Sequence, residues 1–285
     1  EKRKALRKER YLARRGFKKN IISSLFDKVY IITMKEDEFR SKQLSKLLDN
    51  LGVKHQISYG INPNENAYLP YLQRWLHQKD FVKYPLNKIT FDHNLYLRRY
   101  PDLEEKGIKN KTRAWHHYVT AGKNEGRFVY EKTNIKNIAQ LGCLLAHNRI
   151  YIDAEKNNYK SILILEDDVY LHNNFLNELD KTYEKIPKNW NILYFGGIQK
   201  KWTEIKSFNS FYAANNTLGA FAYGIRDTGF NYLKKSSMNL IDPIDICMQK
   251  LSNRYVIYPN IIITNLEKSR IHRSRDINFY AKVFK

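Results

Sequence analysis

The sequence predicts an α/β protein built on a mixed, largely parallel sheet with flanking helices and a small helical insert. Three observations carry that expectation. Lys28-Val29-Tyr30-Ile31-Ile32-Thr33 is a short β-branched run, followed by a helical pattern and a second strand pattern. Residues 161–165 and 191–195 are apolar after their first residue, as strands covered on both faces must be. Between these regions, residues 62–133 mix turn residues, aromatics and charges without any strand rhythm.

The elements follow in order. After the first strand, Phe39, Leu44, Leu47, Leu48 and Leu51 recur near a 3.6-residue period, and Gly52 can close that helix. Residues 53–59 read as a second strand, so the first two strands and their helix form a right-handed βαβ unit. Within 62–133, the pairs Phe91-Asp92 and Tyr96-Leu97, the run Tyr100-Pro101-Asp102-Leu103, His117-Tyr118 and residues 122–127 read as a compact helical module. Residues 138–157 form a long helix with Leu141, Leu144, Leu145 and Ile152 expected on its inner side. The strand 161–165 follows, then a strand at 191–195 ended by Gly196-Gly197. Residues 219–225 lead into a helix at 227–235, and a helix at 243–251 and a strand at 255–258 complete the core. The expected division is a basic N-terminal helix or stem over 1–27, a main domain over 28–61 and 134–285, and an inserted module over 62–133.

Bulk properties narrow the classes. The chain has 285 residues, of which 42% are hydrophobic and 14% aromatic, a composition that supports a buried core. Fifty basic residues against 29 acidic ones give a net charge of +21. Such an excess favours anionic partners, among them nucleotide phosphates, acidic glycans or an anionic membrane surface. Part of it lies in the first twenty residues, where a solvated face or a docking element for a membrane or partner are the two readings. Nucleic acid is disfavoured, because no recognised binding motif is present and an acidic triplet fits poorly in a phosphate-tracking groove. No apolar run reaches the roughly 18–20 residues that span a bilayer, and the N-terminus has no signal-peptide core. A cytoplasmic or peripheral-membrane location is the expectation. Cys143 and Cys247 lie among apolar neighbours and read as buried reduced thiols.

The chemistry concentrates at Leu165-Glu166-Asp167-Asp168, three carboxylates directly after a buried strand. Open α/β sheets bind ligands outside the carboxyl ends of their strands. Carboxylates there can hold Mg2+ or Mn2+, which prefer oxygen ligands and bridge to phosphates. The alternative is a solvated acidic turn capping a helix. Asp245, in Ile241-Asp242-Pro243-Ile244-Asp245, is either a helix cap or a general base for an acceptor hydroxyl. His147, on the apolar helix, reads as a packed or hydrogen-bonded core residue. His116 and His117 lack metal-ligand spacing. His272, in Ser269-Arg270-Ile271-His272-Arg273, either completes a metal site or is a surface residue of the basic tail.

Several segments together resemble glycosyltransferase family 25, the family of bacterial lipooligosaccharide and collagen hydroxylysine galactosyltransferases. Val29-Tyr30-Ile31-Ile32-Thr33-Met34 with Arg40 downstream resembles the family's first strand. The segment from Leu141 to Tyr151 resembles its GCALSH helix, with Ala146 where Ser is usual. Residues 162–169 are similar to ILEDDV, 190–196 to WDLLYLG, 219–225 to GTHAYLI, and Pro243-Ile244-Asp245 to PVD, in the family's order. The resemblance covers about 28–60 and 137–260. It implies a GT-A-type, Rossmann-like fold and a hexosyltransferase, galactosyl or glucosyl, that inverts the anomeric centre. It also implies a UDP-sugar donor, Mn2+ or Mg2+, and a glycan or hydroxylysine-type protein acceptor. Thr33, Met34, Arg40, Glu166 and Asp167 would then contact the donor, Glu166, Asp168 and His272 the metal, and Asp245 would be the base. The second reading is a glycan- or nucleotide-sugar-binding protein that keeps the fold without turnover. Residues 62–133 are longer than the corresponding loop of bacterial members and resemble a small module attached to various glycosyltransferases.

Overall fold

A computed structural model describes residues 21–173, 175–199, 207–208 and 211–264. Residues 1–20 of the stem expected over 1–27, His272 and the basic tail lie outside the described residues. The chain divides into two compact units. The larger holds the described residues up to Ile61, Cys143–Met238 and those from Ile244 onward; the smaller holds Asn62–Gly142 with Asn239–Pro243.

The larger unit is built on an eight-stranded sheet of β1 (Lys28–Thr33), β2 (Gln56–Tyr59), β3 (Ser161–Glu166), β5 (Ile192–Gln199), β6 (Ser207–Phe208), β7 (Phe211–Ala213), β8 (Thr217–Arg226) and β9 (Arg254–Ile257). A separate two-stranded ladder joins β4 (Val169–Leu171) to β10 (Ile262–Thr264). The sheet order is β2-β1-β3-β8-β5-β9-β7-β6. β1 is parallel to β2 and β3, and β5 is parallel to β9. β8 runs against both β3 and β5, and β7 against both β9 and β6, so most strands share one direction and β8 and β7 are reversed. This mixed sheet with flanking helices agrees with the expected GT-A-like α/β architecture. β3 is buried along residues 161–165, which explains its apolar sequence after Ser161.

Three local expectations change. The helix Glu38–Asn50 turns Ser41, Leu44 and Leu48 inward and leaves Phe39 and Leu47 exposed. In the helix Ile138–Lys156, Ile152 faces out, and Ile150, Tyr151 and Ala154 are buried instead. The glycines at 196 and 197 do not end β5. The strand passes through them to Gln199 with a shift of register. Both are needed for close approach: a Cβ on Gly196 would lie 2.0 Å from the Ile262 carbonyl oxygen, and one on Gly197 2.7 Å from Thr217 Cγ2.

The smaller unit carries no strand among its described residues. Its helices include Leu69–Lys79, His93–Arg99 and Lys111–His117, the last continuing into a π-helical turn at Tyr118–Gly122. Asp92 and Asn110 cap the last two, accepting from the backbone N–H groups of Leu95 and Arg113. Phe91, Tyr96, Leu97, Leu103, Ala114 and Tyr118 form its core. The unit runs past Thr133 to Gly142 and recruits Asn239–Pro243 through polar contacts. Gln78 donates to the Glu131 and Asn239 carbonyls, Thr133 Oγ1 to the Leu240 carbonyl, and Asn134 Nδ2 to Asp242.

Candidate active site

Glu166 is the last residue of β3 and pairs in register with Ile32 of the parallel neighbour β1. Thr33, Glu166, Asp167 and Asp168 therefore collect outside the carboxyl ends of two adjacent parallel strands, where an open α/β sheet has unpaired space for a ligand. Thr33 Oγ1 donates to Asp167 Oδ2 at 2.6 Å, and Arg40 Nη1 stands 3.6 Å from Asp167 Oδ1. Burial pushes the Asp167 carboxyl above the usual carboxylate range, opposed by the Thr33 hydrogen bond and the Arg40 charge. Three of the expected donor-site residues, Thr33, Arg40 and Asp167, thus form one cluster. Met34 follows Thr33 and packs its sulfur against Gly60.

Asp245 opens the helix Ile244–Gln249 and converges on the same end of the sheet, although 79 positions separate it from Glu166. Its carboxylate accepts hydrogen bonds from the backbone N–H groups of Gly219 and Ile246. Gly219 holds φ +91, which an L side chain rarely adopts, and that conformation presents its amide to the carboxylate. Burial holds the Asp245 carboxyl above its ordinary value against those hydrogen bonds, and the nearby Glu166 charge pushes it further up. Asp245 is at once a helix-start residue and a half-buried base candidate.

Glu166 faces a second group of side chains. Cys143 and His147, one helical turn apart, lie on the same face of their helix. Cys143 Sγ is 3.9 Å and His147 Nε2 3.7 Å from the same oxygen, Glu166 Oε1. His147 is fully buried, as expected of a core residue. Its Nδ1 lies 2.8 Å from the Tyr223 hydroxyl, which lies 2.5 Å from the Tyr151 hydroxyl. Cys143 departs from the expected apolar setting. Burial raises its thiol well above the ordinary value, and the Glu166 and Asp245 charges add to that. Cys247 is a buried free thiol. The signal for Cys143 and His147 was present in the sequence as an i, i+4 pair, but nothing in the sequence says which carboxylate meets that face.

Carboxylates suit a hard divalent cation, which takes oxygen ligands, but among the described residues the ligand atoms grouped with Glu166 are those of Cys143 and His147, not Asp168. Asp167, engaged by Thr33 and Arg40, is the member of the triplet least available to a metal. His272 lies outside the described residues, so its place relative to this set is not described.

Residues 26–248 match the sequence profile of glycosyltransferase family 25, described as LPS biosynthesis protein. The chain is 26% identical over 113 residues to a human protein described as an inactive glycosyltransferase 25 family member 3. That match takes in 37% of this chain and 19% of the human protein, so the chain spans about a fifth of that relative's length. A crystal structure of a glycosyltransferase involved in the glycosylation of the major capsid of PBCV-1 is similar with a TM-score of 0.29 and 11% identity. It covers 74% of this chain and 65% of its own.

Proposed function

Because the chain belongs to glycosyltransferase family 25, we propose that it transfers a hexose, galactose or glucose, from a UDP-sugar to a glycan or hydroxylated protein side chain, with inversion. The family supports glycosyl transfer in general; the donor, the acceptor and the metal are the proposal. The observation that carries it is the convergence of Asp245, from the start of a late helix, on the acidic end of β3. A transferase needs one group to bind the departing diphosphate and another to take the acceptor's proton, and this arrangement supplies both kinds of carboxylate.

Glu166 and Asp168 would hold Mn2+ or Mg2+, which when bound offsets the charge of the leaving diphosphate. Thr33, Met34, Arg40 and Asp167 would position the nucleotide, with Arg40 adding positive charge beside it. Asp245 would accept the proton of the attacking hydroxyl. Its raised proton affinity makes it a stronger base than an exposed aspartate, and the Gly219 and Ile246 amides fix its orientation. A direct in-line attack assisted by one base inverts the anomeric carbon.

The test is UDP release from a panel of UDP-sugars, with and without Mn2+, in the wild type, Asp168→Asn and Asp245→Asn. Metal-dependent release from one sugar, lost in Asp168→Asn and slowed in Asp245→Asn at unchanged donor affinity, supports the reading. Full activity in Asp168→Asn removes that residue from the site, and a selective loss of donor affinity in Asp245→Asn removes its role as base. The match to a human protein described as inactive favours a second reading, a nucleotide-sugar-binding protein without turnover. Saturable donor binding with no UDP release in the presence of glycan and hydroxylysine-peptide acceptors decides for it.

A further inference from the structure

We infer that Cys143, His147 and Glu166 form a binding site for a borderline divalent cation of the zinc type, separate in chemistry from the oxygen-ligated cation proposed above. One ligand atom from each, the thiol sulfur, an imidazole nitrogen and a carboxylate oxygen, lies within 4.8 Å of the other two. An independent observation points to a ligand. His147 Nε2 is buried, the side chain being 1% exposed, and has no hydrogen-bond partner among the described residues. It is aimed at Glu166 Oε1 across 3.7 Å, beyond hydrogen-bond length. The Cys143 sulfur approaches that same oxygen at 3.9 Å. Two donors therefore converge on one carboxylate oxygen with a gap between all three.

The gap has the dimensions of a metal site. Zinc bonds of about 2.3 Å to sulfur and about 2.0–2.2 Å to nitrogen and oxygen put tetrahedral ligand atoms about 3.3–3.6 Å apart. The nitrogen–oxygen and sulfur–oxygen separations of 3.7 and 3.9 Å need to close by a few tenths of an ångström, and the sulfur–nitrogen separation, which is within 4.8 Å, by up to about 1.2 Å. The mixed sulfur, nitrogen and oxygen set selects a borderline ion over Mg2+ or Mn2+. Binding releases the thiol proton to solvent, leaving thiolate, neutral imidazole and carboxylate on the ion. The imidazole is already set for this. With the proton on Nδ1, that N–H donates to the Tyr223 hydroxyl and the Nε2 lone pair points at the gap. Such an outer hydrogen bond is what holds ligating histidines in one tautomer. Cys143 and Glu166 are both partly exposed and His147 is buried, so the fourth position opens on the side of the first two. A carboxylate has two oxygens, and Glu166 can serve both cations.

The full chain, stripped of metal and kept reduced, is titrated with Co2+ alone and then competed with Zn2+. The expected result is one equivalent of Co2+ with a thiolate-to-cobalt charge-transfer band that Zn2+ displaces. Cys143→Ser should abolish the band, and Tyr223→Phe should weaken binding by about 10–100-fold. His147→Gln should weaken it by at least as much. Cys247→Ser should retain the band, and so should Asp168→Asn, whatever becomes of UDP release in that variant. Retention in Asp168→Asn separates this site from the proposed transferase metal, so either can fail alone. No thiolate band at saturating Co2+, a band that survives in Cys143→Ser, or one lost in Cys247→Ser overturns the inference. Should Cys143→Ser not fold by circular dichroism, the wild-type band and its weakening in Tyr223→Phe decide the matter.

Discussion

His117 and His147 each stand near a glutamate, at 3.9 Å from Glu125 Oε2 and 3.7 Å from Glu166 Oε1, and each meets a tyrosine hydroxyl through Nδ1. The resemblance ends there. In the smaller unit, Glu125 Oε2 also accepts from Arg127 Nε at 2.6 Å, and Arg127 holds Asp102 through two more hydrogen bonds at 2.8 Å. Charge is matched locally. In the larger unit, no lysine or arginine pairs with Glu166 among the described residues, and the half-buried Asp245 adds a second negative charge nearby. In the smaller unit Asp102, Glu125 and Glu131 are each paired with one of its own arginines, as in a stability-driven module. In the larger unit Asp167 is held by Thr33 and Arg40, while Glu166 at the strand end meets only Cys143 and His147 among the described residues, as suits a ligand site.

The sharpest way to break that contrast is Asp168→Asn. It should lower metal-dependent UDP release by about 100-fold or more, as removal of a main electrostatic group does, with the melting temperature little changed. A fall in stability without a fall in turnover would make the acidic end of β3 structural, like its counterpart in the smaller unit. Next in size is Leu103→Ala. Leu103 is wholly buried in the smaller unit's core, and truncation should cost about 2–5 kcal/mol. Hydrogen exchange should show faster opening of amides in 93–122. If those amides keep their protection, the small core does not hold that unit together.

The sequence showed much of this contrast, and its gaps have physical causes. Strand β3 and the acidic triplet were readable because a strand buried on both faces must be apolar throughout, and carboxylates directly after it stand out. The inward face of the helix Glu38–Asn50 does not follow from the apolar period alone, because Phe39 on that period is 71% exposed and Ser41 off it is buried. Gly196-Gly197 looked like a stop because turns and close backbone approach use the same residue; only the position of Ile262 tells them apart. The ladder of β4 with β10 pairs segments about 90 positions apart, which no local pattern reveals. His147 was rightly placed in the core, but its orphaned nitrogen depends on where Glu166 ends, a fact of tertiary structure.

Gly196→Ala tests how tightly the larger unit is built behind the end of β3. The added methyl would meet a backbone carbonyl at 2.0 Å and the Phe221 ring at 2.6 Å, so strand β5 or its neighbour must shift. Overpacking of this kind costs about 1–3 kcal/mol, readable as a lower denaturant midpoint. An unchanged midpoint would mean that β10 yields easily.

The smallest effect concerns the closed charges of the smaller unit, and its sign follows from Asp102. The Arg127 guanidinium lowers the Asp102 carboxyl from 3.8 to about 2. A carboxylate depressed in the folded state contributes stability in full above its unfolded value, and that contribution is lost as pH falls through the folded one. Wild type should therefore melt slightly above Asp102→Asn at neutral pH, and the two should converge as pH drops from 3.8 towards about 2. The exposed setting of the pair keeps the difference small and sensitive to salt. Melting curves that stay apart at the acidic end would show that the asparagine acts by disturbing packing. In that case the matched charges would not be what distinguishes this unit from Glu166 at the end of β3.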